Sequence, residues 1–148
     1  MYSALTVARY VVDSCYQKGL GVSNLKLQKI LYFIQAEFLV SKPGHMPCFA
    51  DRIEAWDFGP VVPNVYHRYK IYGGAIIVPM QDDPMAAFYE DIRPEDKARI
   101  DGILQETERF TASELVQITH GQSPWLDVYS PGMNNEITQE SILNFFGG

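Results

Sequence analysis

His45 and Cys48 are of the residue types that make a general base and a nucleophile. With His67, His120 and Cys15 they complete the chain's imidazoles and thiols. An imidazole facing a thiol can raise a thiolate for attack on a carbonyl, and four such ligands in a cluster can hold zinc. The spacing supports neither. His45 and Cys48 sit in a loop punctuated by Pro43, Gly44 and Pro47, where neighbours seldom point at each other. No histidine has a ligating partner four positions on, and there is no Cys-x-x-Cys. Gly-x-Ser-x-Gly, a P-loop and the dinucleotide-binding glycine pattern are all missing. Asp82, Asp83, Glu90 and Asp91 read as carboxylates among solvating neighbours, not as an acid/base couple. The sequence therefore assigns no catalytic residue, no cofactor and no metal ligand, and the expectation is a protein that is not an enzyme.

Charge narrows the remaining classes. The 148 residues carry a formal net charge of −6, which disfavours unassisted nucleic-acid binding. Lys26, Lys29, His67, Arg68 and Lys70, interleaved with Tyr32, Tyr66 and Tyr69, are the only candidates for a DNA contact, and a DNA-binding regulator is a remote alternative. Residues 1–74 hold eight Lys and Arg against five Asp and Glu, whereas residues 75–148 hold four against thirteen. Such asymmetry either solvates the C-terminal helices or steers a charged partner onto one face. The N-terminal stretch has no basic leader, since Arg9 and Asp13 interrupt its apolar residues, and no run is long enough for a membrane helix. Two cysteines beside an ample hydrophobic fraction read as reduced thiols in a cytoplasmic protein.

The elements that would position any site are mainly helices. Leu5, Ala8, Val11, Val12 and Cys15 predict a helix over 3–18, stopped by Lys18-Gly19. Ser23 caps a second, with Leu27, Ile30, Leu31, Ile34 and Phe38 as its apolar stripe and Gln28, Lys29 and Gln35 mainly off it. Residues 52–56 alternate like a strand. A third helix is expected from about Pro60 to Tyr72, with Pro60 and Pro63 in its first turn, and Ala75–Val78 as a second strand. After a loop over 79–93, helices are expected from Pro94 to about Arg109, after the capping box Thr111–Glu114, around Trp125, and after Thr138. The expected fold is mostly α, a single compact domain over 1–148 of six or seven helices with a minor two- or three-stranded β element.

Three stretches go further. They are Leu25-Lys26-Leu27-Gln28-Lys29-Ile30-Leu31-Tyr32-Phe33, the run from Glu54-Ala55-Trp56-Asp57-Phe58-Gly59-Pro60 to Tyr66, and Leu115–Trp125 with Thr119-His120-Gly121-Gln122-Ser123-Pro124 inside it. In order and spacing they resemble the Panacea domain, also called the SocA-like or phage-associated domain. The resemblance implies an antitoxin, prophage- or mobile-element-encoded, that neutralises a cognate toxin by direct contact. It also implies an alternative, an adaptor that delivers its toxin to the ClpXP protease. Many members carry segments outside the domain, whereas this chain is little more than the domain, so contacts are expected from the domain surface. Candidate partner-binding residues are Gln28, Lys29, Tyr32, Trp56 and Phe58. Gln28 and Lys29 have no evident local job, and the two aromatics, on one strand, become anchors if their side is open. Gly59, Pro60, Pro63, Tyr66 and Trp125 are expected to shape the backbone and the core.

Overall fold

A computed structural model describes residues 1–148, and its organising element is α2 (Asn24–Ser41). Ser23 starts it, its hydroxyl accepting the Lys26 N–H. Around α2 pack α1 (Ala4–Gln17), α4 (Pro94–Thr107), α5 (Ala112–His120) and α7 (Gln139–Gly147). A helix covered on all sides cannot keep a polar face. The expected polar side of α2 is thus corrected: Gln28, Lys29 and Gln35 are as buried as Leu27 and Ile34. Gln35 illustrates the cost-free way to do this. Its carboxamide donates to the Phe49 carbonyl and accepts from the Cys48 and Phe49 N–H groups, so no polar atom is orphaned.

The other helices begin and end where their caps dictate. Ser3 caps α1, and Gly19, with a φ of +72°, follows its end after Lys18. Thr111 and Glu114 form the reciprocal capping box of α5, and Thr138 caps α7. The short α6 (Ser123–Leu126) carries Pro124 in its first turn and Trp125.

The β element is a three-stranded antiparallel sheet in the order β2-β1-β3: β1 (Ile53–Trp56), β2 (Gly59–Val61) and β3 (Glu136–Ile137). Trp56 pairs with Gly59, Ala55 with Pro60 and Glu54 with Val61, so Asp57 and Phe58 form a two-residue turn. Two expectations change here. Pro60 lies in the edge strand β2, and α3 (Pro63–Tyr69) begins only at Pro63, its N1 residue. Edge position suits proline: the Ala55 N–H is spent on the Asn135 carbonyl in the other direction, so β1 asks nothing of the missing Pro60 donor. Ala75–Val78 is not a strand. It makes one bridge, Ser23 with Ile76, and one bond from the Ile77 N–H to the Val22 carbonyl.

Thirty-one buried apolar residues, from Tyr2 to Ile142, form one contiguous cluster. No helix is long and apolar enough to cross a membrane. The carboxylates also depart from expectation, because Asp83 and Asp96 are buried among cations and hydroxyls. Asp83 meets Arg9, Arg68 and the Tyr89 hydroxyl; Asp96 meets Lys42, Arg99 and the Tyr2 hydroxyl.

Candidate functional site

The hairpin β1–β2 has an exposed edge, and α2 closes it with side chains. Because Pro60 does not face β1, its carbonyl points outward and accepts from Lys29 Nζ at 2.7 Å. Two residues on, the Val62 N–H donates to Gln28 Oε1 at 2.9 Å, while Gln28 Nε2 donates to Asn24 Oδ1 at 2.8 Å. Asn24 Nδ2 continues to the Tyr66 carbonyl at 3.1 Å. Gln28 and Lys29 therefore act as a substitute strand edge, pairing backbone groups that β2 would otherwise bury unsatisfied. Lys29 is 0% exposed and faces no carboxylate, and burial pulls its pKa down to about 7.

Gly59 is fixed by two constraints. Its φ is +105°, and a Cβ there would lie 2.8 Å from Thr119 Oγ1 and 2.9 Å from Lys29 Cε. The hairpin thus settles onto α2 and α5 at a point where only glycine fits.

From the opposite side, α5 and α6 hold the turn. His120, Trp125 and Tyr129 stack in sequence, with centroids 4.1 Å and 4.3 Å apart. Trp125 Nε1 donates to the Trp56 carbonyl at 2.8 Å, and His120 Nε2 lies 2.9 Å from the Asp57 carbonyl, which can only accept and so assigns the Nε2–H tautomer. The Tyr129 hydroxyl donates to Asp57 Oδ1 at 2.5 Å. Tyr32 bonds through its hydroxyl to Gln122 Oε1 at 2.7 Å, tying α2 to the turn between α5 and α6.

What this scaffold presents is a cleft of about 470 Å3, bounded by the start of α2, the hairpin, α3 with the turn after it, and the loop containing Gly132 and Asn134. Trp56 lies half-buried on one wall, edge-on to Tyr66 at 4.9 Å and 65°, with its Nε1 donating to Glu54 Oε1. Phe58, at the hairpin tip, is 64% exposed. Leu25 and Val61 add apolar surface, and Lys70 stands on the rim.

Of the five candidate contact residues, the structure brings Trp56, Phe58 and Gln28 to this cleft. Phe58 lies in the turn, not on the strand with Trp56. Gln28 contributes from beneath and is itself buried, while Lys29 and Tyr32 are wholly interior. The surface role expected for Gln28, Lys29 and Tyr32 is corrected accordingly: Gln28 and Lys29 position the hairpin, and Tyr32 ties α2 to Gln122. Pro63 opens α3, Tyr66 is half-buried against Trp56, and Trp125 is core beneath the hairpin. Sequence reasoning missed Asn24 and Asn134, and it read Lys70 only as a candidate DNA contact and Leu25 only as part of a motif stretch, because the cleft they share exists only in the fold. It also missed the grip of His120 and Tyr129 on Asp57.

The remaining reactive groups lead elsewhere. His45 bonds the Leu39 carbonyl through Nδ1, and Cys48 is buried, its thiol pushed up by desolvation, the wrong direction for a nucleophile. No group of three or more His, Cys, Asp or Glu is placed to hold a metal ion.

Comparison with known proteins bears on these same residues. The family described as antitoxin SocA-like, Panacea domain, matches residues 27–126, from the core of α2 through α6. Antitoxin SocA of Caulobacter vibrioides (strain NA1000 / CB15N) is 34% identical over 140 residues, which covers 88% of this chain and 73% of that protein. No solved structure matches.

Proposed function

Because the chain belongs to the antitoxin SocA-like, Panacea domain family, we propose that it is an antitoxin that neutralises a cognate toxin by direct contact through the cleft between the hairpin and the start of α2. The observation that carries this reading is the placement of exposed Phe58 and half-buried Trp56 on a rigid mount. All three motif stretches converge on that mount. The α2 stretch supplies Gln28 and Lys29, the central stretch supplies the hairpin, and Leu115–Trp125 supplies Thr119, His120 and Trp125 beneath it. Large aromatics held rigid desolvate much area at small entropic cost, which is the character of an interface anchor.

The test is co-expression with the product of the adjacent gene. That product should arrest growth alone, and this protein should restore growth and co-purify with it. Phe58→Ser should weaken neutralisation at least about tenfold, the scale of one interface anchor, while leaving the melting temperature within a degree or two. Full neutralisation by the variant would place the contact outside the cleft. A harmless neighbour that does not bind would remove the antitoxin reading.

A second reading, an adaptor that hands the toxin to a ClpXP-type protease, draws on another set of exposed apolar side chains. Ile71, Ile76, Val78 and Met80 follow the end of α3 and could serve a second partner. It requires the toxin to disappear faster when this protein and the protease are both present. An unchanged toxin half-life after protease deletion would leave direct neutralisation alone.

A further inference from the structure

We propose that the cleft accepts an extended segment of the toxin carrying a bulky apolar side chain next to an acidic one, the first against Trp56 and Phe58 and the second beside Lys70. This rests on the antitoxin reading and specifies the chemistry of its partner.

The polar groups of the cleft are mostly spent within the protein. Asn24 and Gln28 bond each other, the Tyr66 carbonyl and the Val62 N–H, and the Trp56 Nε1–H is taken by Glu54. Apolar ring surface is what Trp56 has left to offer. The two charges lining the cleft are not equivalent. Asp57 is already engaged by the Tyr129 hydroxyl and sits on a carbonyl fixed by His120. Lys70 is exposed and belongs to no ion pair, and it is the one cation on the lining of this cleft. Apart from Gly132 and Asn134, the lining comes from residues 24–73, within the half of the chain that carries net positive charge. The first turn of α2, with Asn24 and Leu25 on the cleft, adds partial charge of the same sign. An incoming carboxylate gains Lys70 without displacing an existing partner. An incoming ammonium meets Lys70 as repulsion, and Asp57, whose Oδ1 already accepts from Tyr129, leaves it only Oδ2. The acidic C-terminal half, the sequence-level argument for a basic toxin, contributes no charged group to this cleft.

The experiment uses the full chain labelled with 15N, titrated with two blocked hexapeptides, Gly-Phe-Asp-Glu-Phe-Gly and Gly-Phe-Lys-Lys-Phe-Gly. There are two tryptophans, so two indole N–H signals report. The Trp56 signal should move with the acidic peptide at an affinity about tenfold above the basic one. Lys70→Glu, a change at an exposed position that leaves the fold intact, should reverse that order, and Phe58→Ser should abolish the shift. Equal affinity for both peptides, or a Trp56 signal unmoved by either at millimolar concentration, overturns the proposal. The co-expression assay separates the two levels of inference. Rescue that survives Lys70→Glu unchanged leaves the antitoxin reading standing and removes this one, whereas a wild-type protein that neither binds nor rescues removes both.

Discussion

Lys29 carries an amine into the interior with a single acceptor, the Pro60 carbonyl, and no counter-ion. Desolvation penalises the ammonium, which is why its pKa falls to about 7, and that shift makes stability depend on pH. In the unfolded chain the lysine keeps its proton to about pH 10.4. Between pH 7 and that value the unfolded state binds more protons than the folded one, so stability rises as pH rises; below pH 7 both states are charged and the dependence flattens. Above about pH 9 the buried Cys15 and Cys48 oppose the trend, because the folded state retains thiol protons that the unfolded chain releases. The clean window is therefore pH 7 to 8.5. Urea unfolding should show about 1.5 kcal/mol of gain across it for the wild type relative to Lys29→Met. Parallel curves would mean that the amine keeps its ordinary affinity for protons and so has access to water. Gly59 makes a companion case. Gly59→Ala brings a Cβ onto Thr119 Oγ1 and Lys29 Cε at a backbone angle that side chains avoid, and should cost about 2–3 kcal/mol in the same assay.

At the scale of elements, the hairpin is held by side chains more than by strands. β2 is three residues long, β3 two, and the outward groups of Pro60 in β2 and of Val62 just after it are paired by Lys29 and Gln28. Gln28→Leu leaves the Val62 N–H buried without a partner and should cost about 1–3 kcal/mol. It should also weaken toxin neutralisation by more than a core substitution of equal cost on α4, because only the former frees the hairpin. Equal losses would reduce Gln28 to a contributor to general stability. The same device explains what could be read in the sequence. The caps Ser3, Ser23, Thr111 and Thr138 announce their helices because a cap is a local event, completed within three residues. The polar residues of α2 mislead because burial is decided by distant partners. Gln28 and Lys29 look like surface until an edge strand some thirty positions away needs a donor and an acceptor. Pro60 misleads for the reciprocal reason: proline opens helices and also tolerates sheet edges, and only the pairing of Ala55 with Asn135 separates the two. Trp56 and Phe58 stand out in the sequence as large aromatics beside a turn, whereas Leu25, Lys70 and Asn134 join them on one cleft only through the fold.

Over the whole molecule, the lopsided charge of the sequence is partly spent in folding. Two acidic residues of the C-terminal half enter the interior and gather cations from the N-terminal half. Asp83 takes Arg9 and Arg68, and Asp96 takes Lys42, with Arg99 from its own helix. Glu90 joins them at the surface, accepting from the Ser3 N–H and from the hydroxyls of Ser3 and Thr6 at the start of α1. These contacts join the loop after α3 and the start of α4 to α1, α2 and α3, elements far apart in sequence. Burial alone would raise all three carboxyls. The hydrogen bonds, joined at Asp83 and Asp96 by nearby cations, reverse this and hold them below the ordinary range. A carboxylate whose folded pKa is depressed contributes stability that is complete above its unfolded value, near pH 4, and is lost as pH falls through the folded value. Acid should therefore unfold the protein cooperatively below about pH 4. Asp96→Asn keeps the shape but leaves Lys42 and Arg99, each only partly open to water, beside a neutral amide, and should cost about 2–3 kcal/mol at pH 7. The decisive comparison is the difference between wild type and variant as the pH is lowered. It should shrink below pH 4, where the unfolded wild type takes up a proton, and vanish once folded Asp96 is itself protonated and resembles the amide. A difference that stays constant down to pH 3 would mean that the loss comes from packing and that the ion pairs across the two halves contribute little.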